Sequence, residues 1–238
     1  MYALILAGGR GERLRPLTDT RPKPMVPLND KPILWYQVEW LKLHGVTDVV
    51  FLVSYLWESV RDYFGDGKAF GVKAHYSVEK TPLGRGGGIR QGLRDVPRTE
   101  KLVLVTNGDV VCTADLSSMI AQHTRMGAVA TDMVVPLLSP YGIVEVDSSN
   151  VVTGFKEKPR LPHWINGGVY VFNRDIETLL PEKGDHEDST FPKLAAQRKL
   201  GAFRMDGPWQ SVDSFKDLKD AAPIAEALIG ILQKKKPV

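Results

Sequence analysis

Strand-like and helical patterns alternate along the first half of the chain, and this alternation limits the folds open to it more than any other feature. Strand-like runs occupy residues 2–7, 48–53, 73–77 and 101–106, while apolar residues recur at three- and four-residue spacing over 33–44 and 58–64. Strands and helices at this separation are joined by right-handed crossovers, which make neighbouring strands parallel and place helices on both faces. The expected class is α/β, a doubly wound, mostly parallel, Rossmann-like sheet. From about Asp132 the strand-like runs, over 128–135, 143–146 and 168–172, lie closer together, and their connections carry Pro, Gly and Asn. They predict an antiparallel extension built onto the same sheet. In open sheets of this kind the ligand lies outside the carboxyl ends of the parallel strands, which directs attention to the loop after residues 2–7.

That loop reads Gly8-Gly9-Arg10-Gly11-Glu12-Arg13. It is not a Walker A loop, which needs Gly-Lys and then Ser or Thr opening a helix, nor a dinucleotide fingerprint, which needs a third glycine where Arg13 or Leu14 stands. Glycines let backbone N–H groups converge on phosphate oxygens. Arg13 and Lys23 would offset the charge of a triphosphate or a leaving pyrophosphate, and Pro16, Pro22, Pro24 and Pro27 fix φ around them. The net charge of +3 is too small to imply nucleic-acid binding, and the basic residues concentrate between Arg10 and Lys31. A local anionic ligand is expected rather than a polyanion.

Cys112 is the one cysteine, so no intrachain disulfide is expected; it reads as a small buried hydrophobe in a reducing compartment. The chain opens directly on a strand-like run, and no window approaches the ~18 apolar residues of a membrane span. The expectation is a cytoplasmic protein with no membrane partner. The basic end, Lys234 to Val238, reads as a solvated terminus. At 238 residues one domain is expected.

The string Gly9-Arg10-Gly11-Glu12-Arg13-Leu14-Arg15-Pro16-Leu17-Thr18, followed by Pro22-Lys23-Pro24-Met25, resembles the signature of the sugar-1-phosphate nucleotidylyltransferases. The resemblance implies a Rossmann-like nucleotide-binding part over about 1–131 and an antiparallel sugar-binding extension over about 132–222. It also implies Mg²⁺, and attack of a sugar phosphate on the α-phosphorus of a nucleoside triphosphate with release of pyrophosphate. The nucleotide is then assigned to Leu6, Ala7, Gly8, Gly9, Arg10, Gly11, Glu12, Arg13 and Lys23 in the first loop. The same resemblance adds Glu79, Pro82 and Gly84, and Asn107, Gly108 and Asp109.

Asp109 follows an apolar run, and on spacing alone it serves equally as a turn cap or as an oxygen ligand for a hard cation. Asp213 would cap the helical pattern over 217–232. By resemblance these are the family's two metal carboxylates. Asp213-Ser214-Phe215-Lys216 departs from the frequent Asp-x-Gly-Thr, and that departure, like "KPILWYQ" over 31–37, resembles the glucose-1-phosphate cytidylyltransferase branch. Phe155-Lys156-Glu157-Lys158-Pro159 alone reads as a solvated turn. The resemblance gives Glu157 the sugar hydroxyls and Lys158 the sugar phosphate, and adds Gly142, Asn166 and Gly168 to the sugar pocket.

The second glycine cluster, Glu79-Lys80-Thr81-Pro82-Leu83-Gly84-Arg85-Gly86-Gly87-Gly88, reads as a flexible loop entering a helix over 89–93 whose N-terminus would attract an anion. By resemblance it is the base-reading loop, with Glu79 on the base edge and Gly84 allowing close approach. A carboxylate accepts paired N–H donors of guanine or the amino group of cytosine. GTP with a hexose or heptose 1-phosphate is favoured; CTP with glucose 1-phosphate, a UTP or dTTP enzyme, and a catalytically silent NDP-sugar-binding homologue are the alternatives. Arg13, Lys23, Asp109 and Lys158 are the expected catalytic residues, and the retention of these four with Asp213 argues against the silent homologue. None of His44, His75, His123, His163 and His186 is given a metal or acid–base role. Trp35, Trp40 and Trp57 read as packing residues, and the sequence leaves a homo-oligomer open. The chain ends soon after 217–232, so the left-handed β-helix that some relatives append, with its acetyltransfer, is not expected.

Overall fold

The computed structural model describes residues 1–235. The expected solvated end at Lys234 to Val238 falls largely on residues 236–238, outside the described ones. The strands are β1 (Tyr2–Leu6), β2 (Pro27–Leu28), β3 (Lys31–Pro32), β4 (Asp48–Val53), β5 (Lys73–Val78), β6 (Leu102–Asn107), β7 (Val110–Cys112), β8 (Ala130–Leu138), β9 (Ile143–Val146), β10 (Val152–Lys156), β11 (Arg160–Asn173), β12 (Leu200–Arg204) and β13 (Trp209–Ser211). The helices are α1 (Ile33–Leu43), α2 (Glu58–Phe64), α3 (Gly84–Gly92), α4 (Leu116–Met126), α5 (His186–Ala196) and α6 (Phe215–Lys235).

Seven strands form the main sheet in the order β12-β8-β11-β6-β1-β4-β5. The pairs β6–β1, β1–β4, β4–β5 and β8–β12 are parallel, and β11 is antiparallel to both of its neighbours, so within this sheet β11 alone runs against the rest. Side chains alternate between the two faces because the strand period is two. Ala3, Ile5, Val49 and Phe51 join the core under α1, α2, α4 and α6, whereas Leu4, Val50 and Leu52 join the core under α3 and α5. Both faces are therefore covered, which is why β1 and β4 read as continuous apolar runs. The class is the doubly wound α/β sheet expected from the sequence.

Two expectations are corrected. The extension after Asp132 does not stay on one sheet: β8 and β11 join the main sheet, but among the described residues β9 and β10 pair only with each other, as an exposed hairpin. The second glycine cluster is not a loop. Gly84 to Gly88 form the first turns of α3, because the segment around Gly184 packs onto that end of the helix and stabilises a turn whose composition disfavours helix.

A small ladder absent from the sequence reading completes the frame. β13 runs antiparallel to β7, with Ser211 opposite Val110, and the Val212 N–H donates to the Asp109 carbonyl at 2.9 Å. The ladder carries Asp213 to Asp109. From the other side, buried Gln37 on α1 donates through Nε2 to the carbonyls of Asn107 (2.6 Å) and Val110 (2.8 Å), clamping the turn that bears Asp109. Burial pushes the Cys112 thiol up to about 12, leaving it an unreactive core side chain. Gln37→Leu strips the Val110 carbonyl of its buried donor and is expected to cost about 1–3 kcal/mol. The measurement is a lower urea midpoint with unchanged m-value.

Candidate active site

A cavity of about 790 Å³ opens at the carboxyl ends of β1, β4 and β6, within the size range of small-molecule sites. The first loop contributes Leu6, Gly8, Gly9, Arg10 and Lys23 to its wall. The opposite wall brings Glu79, Pro82 and Gly84, and the β6–β7 turn brings Asn107, Gly108 and Asp109. Four of the residues assigned to the nucleotide shape this wall from outside. Ala7 is buried and its N–H donates to the Leu52 carbonyl at 2.8 Å. Glu12 and Arg13 lie in a 3-10 turn over Glu12–Leu14. Gly11 has φ +67°, and a Cβ there would stand 2.7 Å from Lys23 Cβ, so only glycine lets the lysine pass.

Lys23 reaches the centre of an ion cluster. Its Nζ bonds Asp109 Oδ2 and lies 2.8 Å from Asp213 Oδ1, which also accepts from Arg13 Nη2 at 2.8 Å. The Lys23 side chain is 13% exposed and that of Asp109 18%, so the charges meet largely out of water. Burial pulls the Lys23 pKa down, but Asp109 and then Asp213 outweigh it and leave the ammonium more basic than usual. Burial pushes the Asp213 carboxyl up, and Lys23 followed by Arg13 more than reverses it, holding the group below its ordinary range.

Asp109 Oδ1 is buried without a hydrogen-bond partner, an acceptor of the kind a hard cation takes. Among the described residues no three His, Cys, Asp or Glu side chains converge as a metal site. Asp109 and Asp213 alone fit Mg²⁺, which commonly takes one or two carboxylates and completes its shell with phosphate and water.

The N-terminus of α3, expected to attract an anion, already holds one. Asp185, the residue before α5, accepts the Arg85 backbone N–H at 2.7 Å and bonds Arg85 Nη2 at 2.8 Å, capping α3 from a distant part of the chain. Arg85 Nη1 also meets Glu187 Oε1 at 3.1 Å. At Gly84 (φ +75°) a Cβ would stand 2.8 Å from the Gly184 carbonyl carbon, so the glycine makes room for protein backbone there. Glu79 Oε2 accepts the Leu83 N–H at 3.1 Å; burial raises its pKa and that bond only partly opposes the rise.

The residues assigned to the sugar do not line the cavity. Glu157 and Lys158 form the turn between β10 and β11, 3.7 Å apart and both more than half exposed. Gly142 lies against Phe155 and Glu157. Asn166 is engaged within β11: its Oδ1 accepts the Gly168 N–H at 2.7 Å and its Nδ2 donates to the Tyr170 hydroxyl at 2.9 Å. Gly168 backs onto the Asn107 side chain. Of the residues assigned to the sugar, Glu157 and Lys158 are exposed and Gly168 is buried, and none of the five lines the cavity.

Sequence reasoning missed Ser54, Tyr55, Arg85 and Asp185 among the cavity-lining residues. Ser54 and Tyr55 follow β4 directly, and the rule that ligands gather at strand carboxyl ends would have found them. Asp185 carried no local signal. Next to it, burial pushes His186 down to about 3, so the imidazole stays neutral.

Asp185→Ala is expected to lose about 1 kcal/mol at pH 7 through the cap. The Arg85 hydrogen bonds, against an opposing burial effect, hold the Asp185 pKa below 3.8. Its stabilisation is therefore complete above that range and lost as pH falls through the depressed folded value. Denaturation at pH 7 and at successively lower pH should show the difference between wild type and Asp185→Ala shrinking only at the acid end.

A family model described as nucleotidyl transferase matches residues 2–227. The D-glycero-alpha-D-manno-heptose 1-phosphate guanylyltransferase of Campylobacter jejuni is 38% identical, over 83% of this chain and 89% of its own length. The UTP–glucose-1-phosphate uridylyltransferase of Synechocystis sp. is 34% identical, over 91% of this chain and 61% of its own length, so the present chain spans about three fifths of that enzyme. The crystal structure of HddC from Yersinia pseudotuberculosis complexed with GMP-PN superposes with a TM-score of 0.72 at 25% identity, covering 93% of this chain and 98% of HddC. Among the described residues no helix is long and apolar enough to cross a membrane. The family match runs from β1 into α6 and takes in every wall of the cavity: the chain belongs to the nucleotidyl transferase family.

Proposed function

We propose that this chain transfers a nucleoside monophosphate from a nucleoside triphosphate to a hexose or heptose 1-phosphate, releasing pyrophosphate. The observation that carries the reading is Lys23 held between Asp109 and Asp213 at the wall of a nucleotide-sized cavity. Such a site needs no nucleophilic side chain, because the sugar phosphate oxygen is itself the anionic nucleophile. Catalysis then rests on positioning and charge compensation.

In this reading the backbone of Gly8 and Gly9 faces the triphosphate and Lys23 meets the departing pyrophosphate. Arg13, bonded to the same Asp213 oxygen as Lys23, fixes that carboxylate. Asp109 and Asp213 would hold Mg²⁺, which when bound supplies positive charge to the reacting phosphates. Lys158 takes the sugar phosphate and Glu157 the sugar hydroxyls, with Gly142, Asn166 and Gly168 shaping the sugar pocket. Residues 1–238 work as one domain, the part to about 131 serving the nucleotide and about 132–222 the sugar. The reaction is assigned to the cytoplasm, in keeping with the single buried cysteine.

GTP is the favoured donor. The Glu79 carboxylate in the cavity wall accepts N–H donors, which guanine presents in pairs. The guanylyltransferase name of the Campylobacter relative and the GMP-PN bound to HddC support the same choice. The uridylyltransferase relative supports UTP as the second reading.

The test incubates the protein with each nucleoside triphosphate, a panel of sugar 1-phosphates and Mg²⁺, and follows pyrophosphate. GTP with a manno-configured hexose or heptose 1-phosphate is expected to turn over fastest; binding without pyrophosphate from any pair would reject the transferase reading. Lys23→Ala and Asp109→Asn are each expected to slow the working pair by about 10²–10³ with a native circular dichroism spectrum. Unchanged pyrophosphate release in Asp109→Asn would remove that residue from the chemistry.

A further inference from the structure

The charges around the cavity are unevenly committed. Lys23 already faces two carboxylates, and Arg85 is bound by Asp185 and Glu187. Arg13, expected from its charge to meet the pyrophosphate, is paired with Asp213. Arg10 and Lys80 are the cavity-lining cations that pair with no carboxylate among the described residues. Lys80 belongs to the wall that carries Glu79. Arg10 belongs to the phosphate loop, next to Gly9, whose carbonyl accepts the Lys23 backbone N–H at 3.3 Å.

Arg10 is nevertheless not adrift. Its guanidinium carbon lies 5.5 Å from the centroid of the Tyr55 ring, within cation–π range. The contact consumes none of the guanidinium N–H donors, and Arg10 makes no side-chain hydrogen bond among the described residues, so those donors stay free for other acceptors. Tyr55 also lines the cavity, and its hydroxyl makes no hydrogen bond among the described residues. The ring face is the part of Tyr55 that the protein uses.

We propose that Tyr55 is a positioning residue that holds the Arg10 guanidinium against the cavity wall, and that Arg10, the uncommitted cation of the first loop, receives the terminal phosphates of the nucleoside triphosphate. The inference rests on the transferase reading above and adds to it a division of labour. Lys23 is anchored in the carboxylate cluster, while Arg10, free of any carboxylate, answers the charge that distinguishes a triphosphate from a monophosphate.

The experiment compares wild type, Tyr55→Leu, Tyr55→Phe, Arg10→Gln and the Tyr55→Leu/Arg10→Gln double variant. It measures KM and kcat with GTP, or with UTP if that is the working donor, and titrates binding of the corresponding tri- and monophosphates. Arg10→Gln is expected to weaken triphosphate binding by about 10- to 100-fold through loss of charge-assisted hydrogen bonds. Tyr55→Leu should raise KM by about three- to tenfold with little change in kcat, and Tyr55→Phe, which keeps the ring, should restore the wild-type KM. Monophosphate affinity should not move, and the double variant should match Arg10→Gln alone. Additive losses in the double variant, an equal loss of monophosphate affinity, or a Tyr55→Phe as damaging as Tyr55→Leu would overturn the proposal. Wild-type protein that binds no nucleoside triphosphate would overturn the functional reading beneath it.

Discussion

The contact of Lys23 with Asp109 and Asp213 is the constraint on which the rest of the site depends. Two carboxylates brought together in a partly dry setting repel each other and lose hydration, and the ammonium between them, with Arg13 also on Asp213, offsets both effects. The cluster joins three remote pieces of chain: the proline-rich loop after β1, the turn between β6 and β7, and the segment between β13 and α6. Each is held by an independent device. Gly11 admits the lysine, Gln37 grips the β6–β7 turn, and the β7–β13 ladder delivers Asp213. The geometry at the centre is therefore set by backbone placement rather than by the ion pairs alone.

Around this centre, function follows from which charges are already answered. At the N-terminus of α3 Asp185 already answers the helix end, while Lys80 on the same wall pairs with no carboxylate among the described residues. The first loop retains unpaired positive charge, and a phosphate chain is the natural occupant there.

Much of this was readable in the sequence, for reasons that differ by residue. The β1–β4 core announced itself through apolar runs separated by helical patterns, Lys23 stood out as a cation between Pro22 and Pro24, and Asp109 was drawn to a metal by resemblance alone. The β7–β13 ladder did not, because three-residue strands carry no period. The helix at Gly84 to Gly88 defeated propensity, since contacts from the segment around Gly184 decide the conformation and nothing local records them. Asp185 was silent for a related cause: a cap supplied across 100 positions is a fact of tertiary packing. Asn166 was legible as a polar residue beside glycines, but its engagement with Gly168 and Tyr170 was not.

The β9–β10 hairpin pairs with no strand of the main sheet among the described residues, and the turn that carries Glu157 and Lys158 joins it to β11. Register in the seven-stranded sheet is fixed elsewhere, by β8 and by the inner half of β11 against β6. Residues can therefore be inserted or exchanged in the hairpin without shifting any core side chain from one face to the other. If the proposed reading holds, changes in the hairpin turn would alter contacts to the sugar while leaving the cavity and the Lys23 cluster in place.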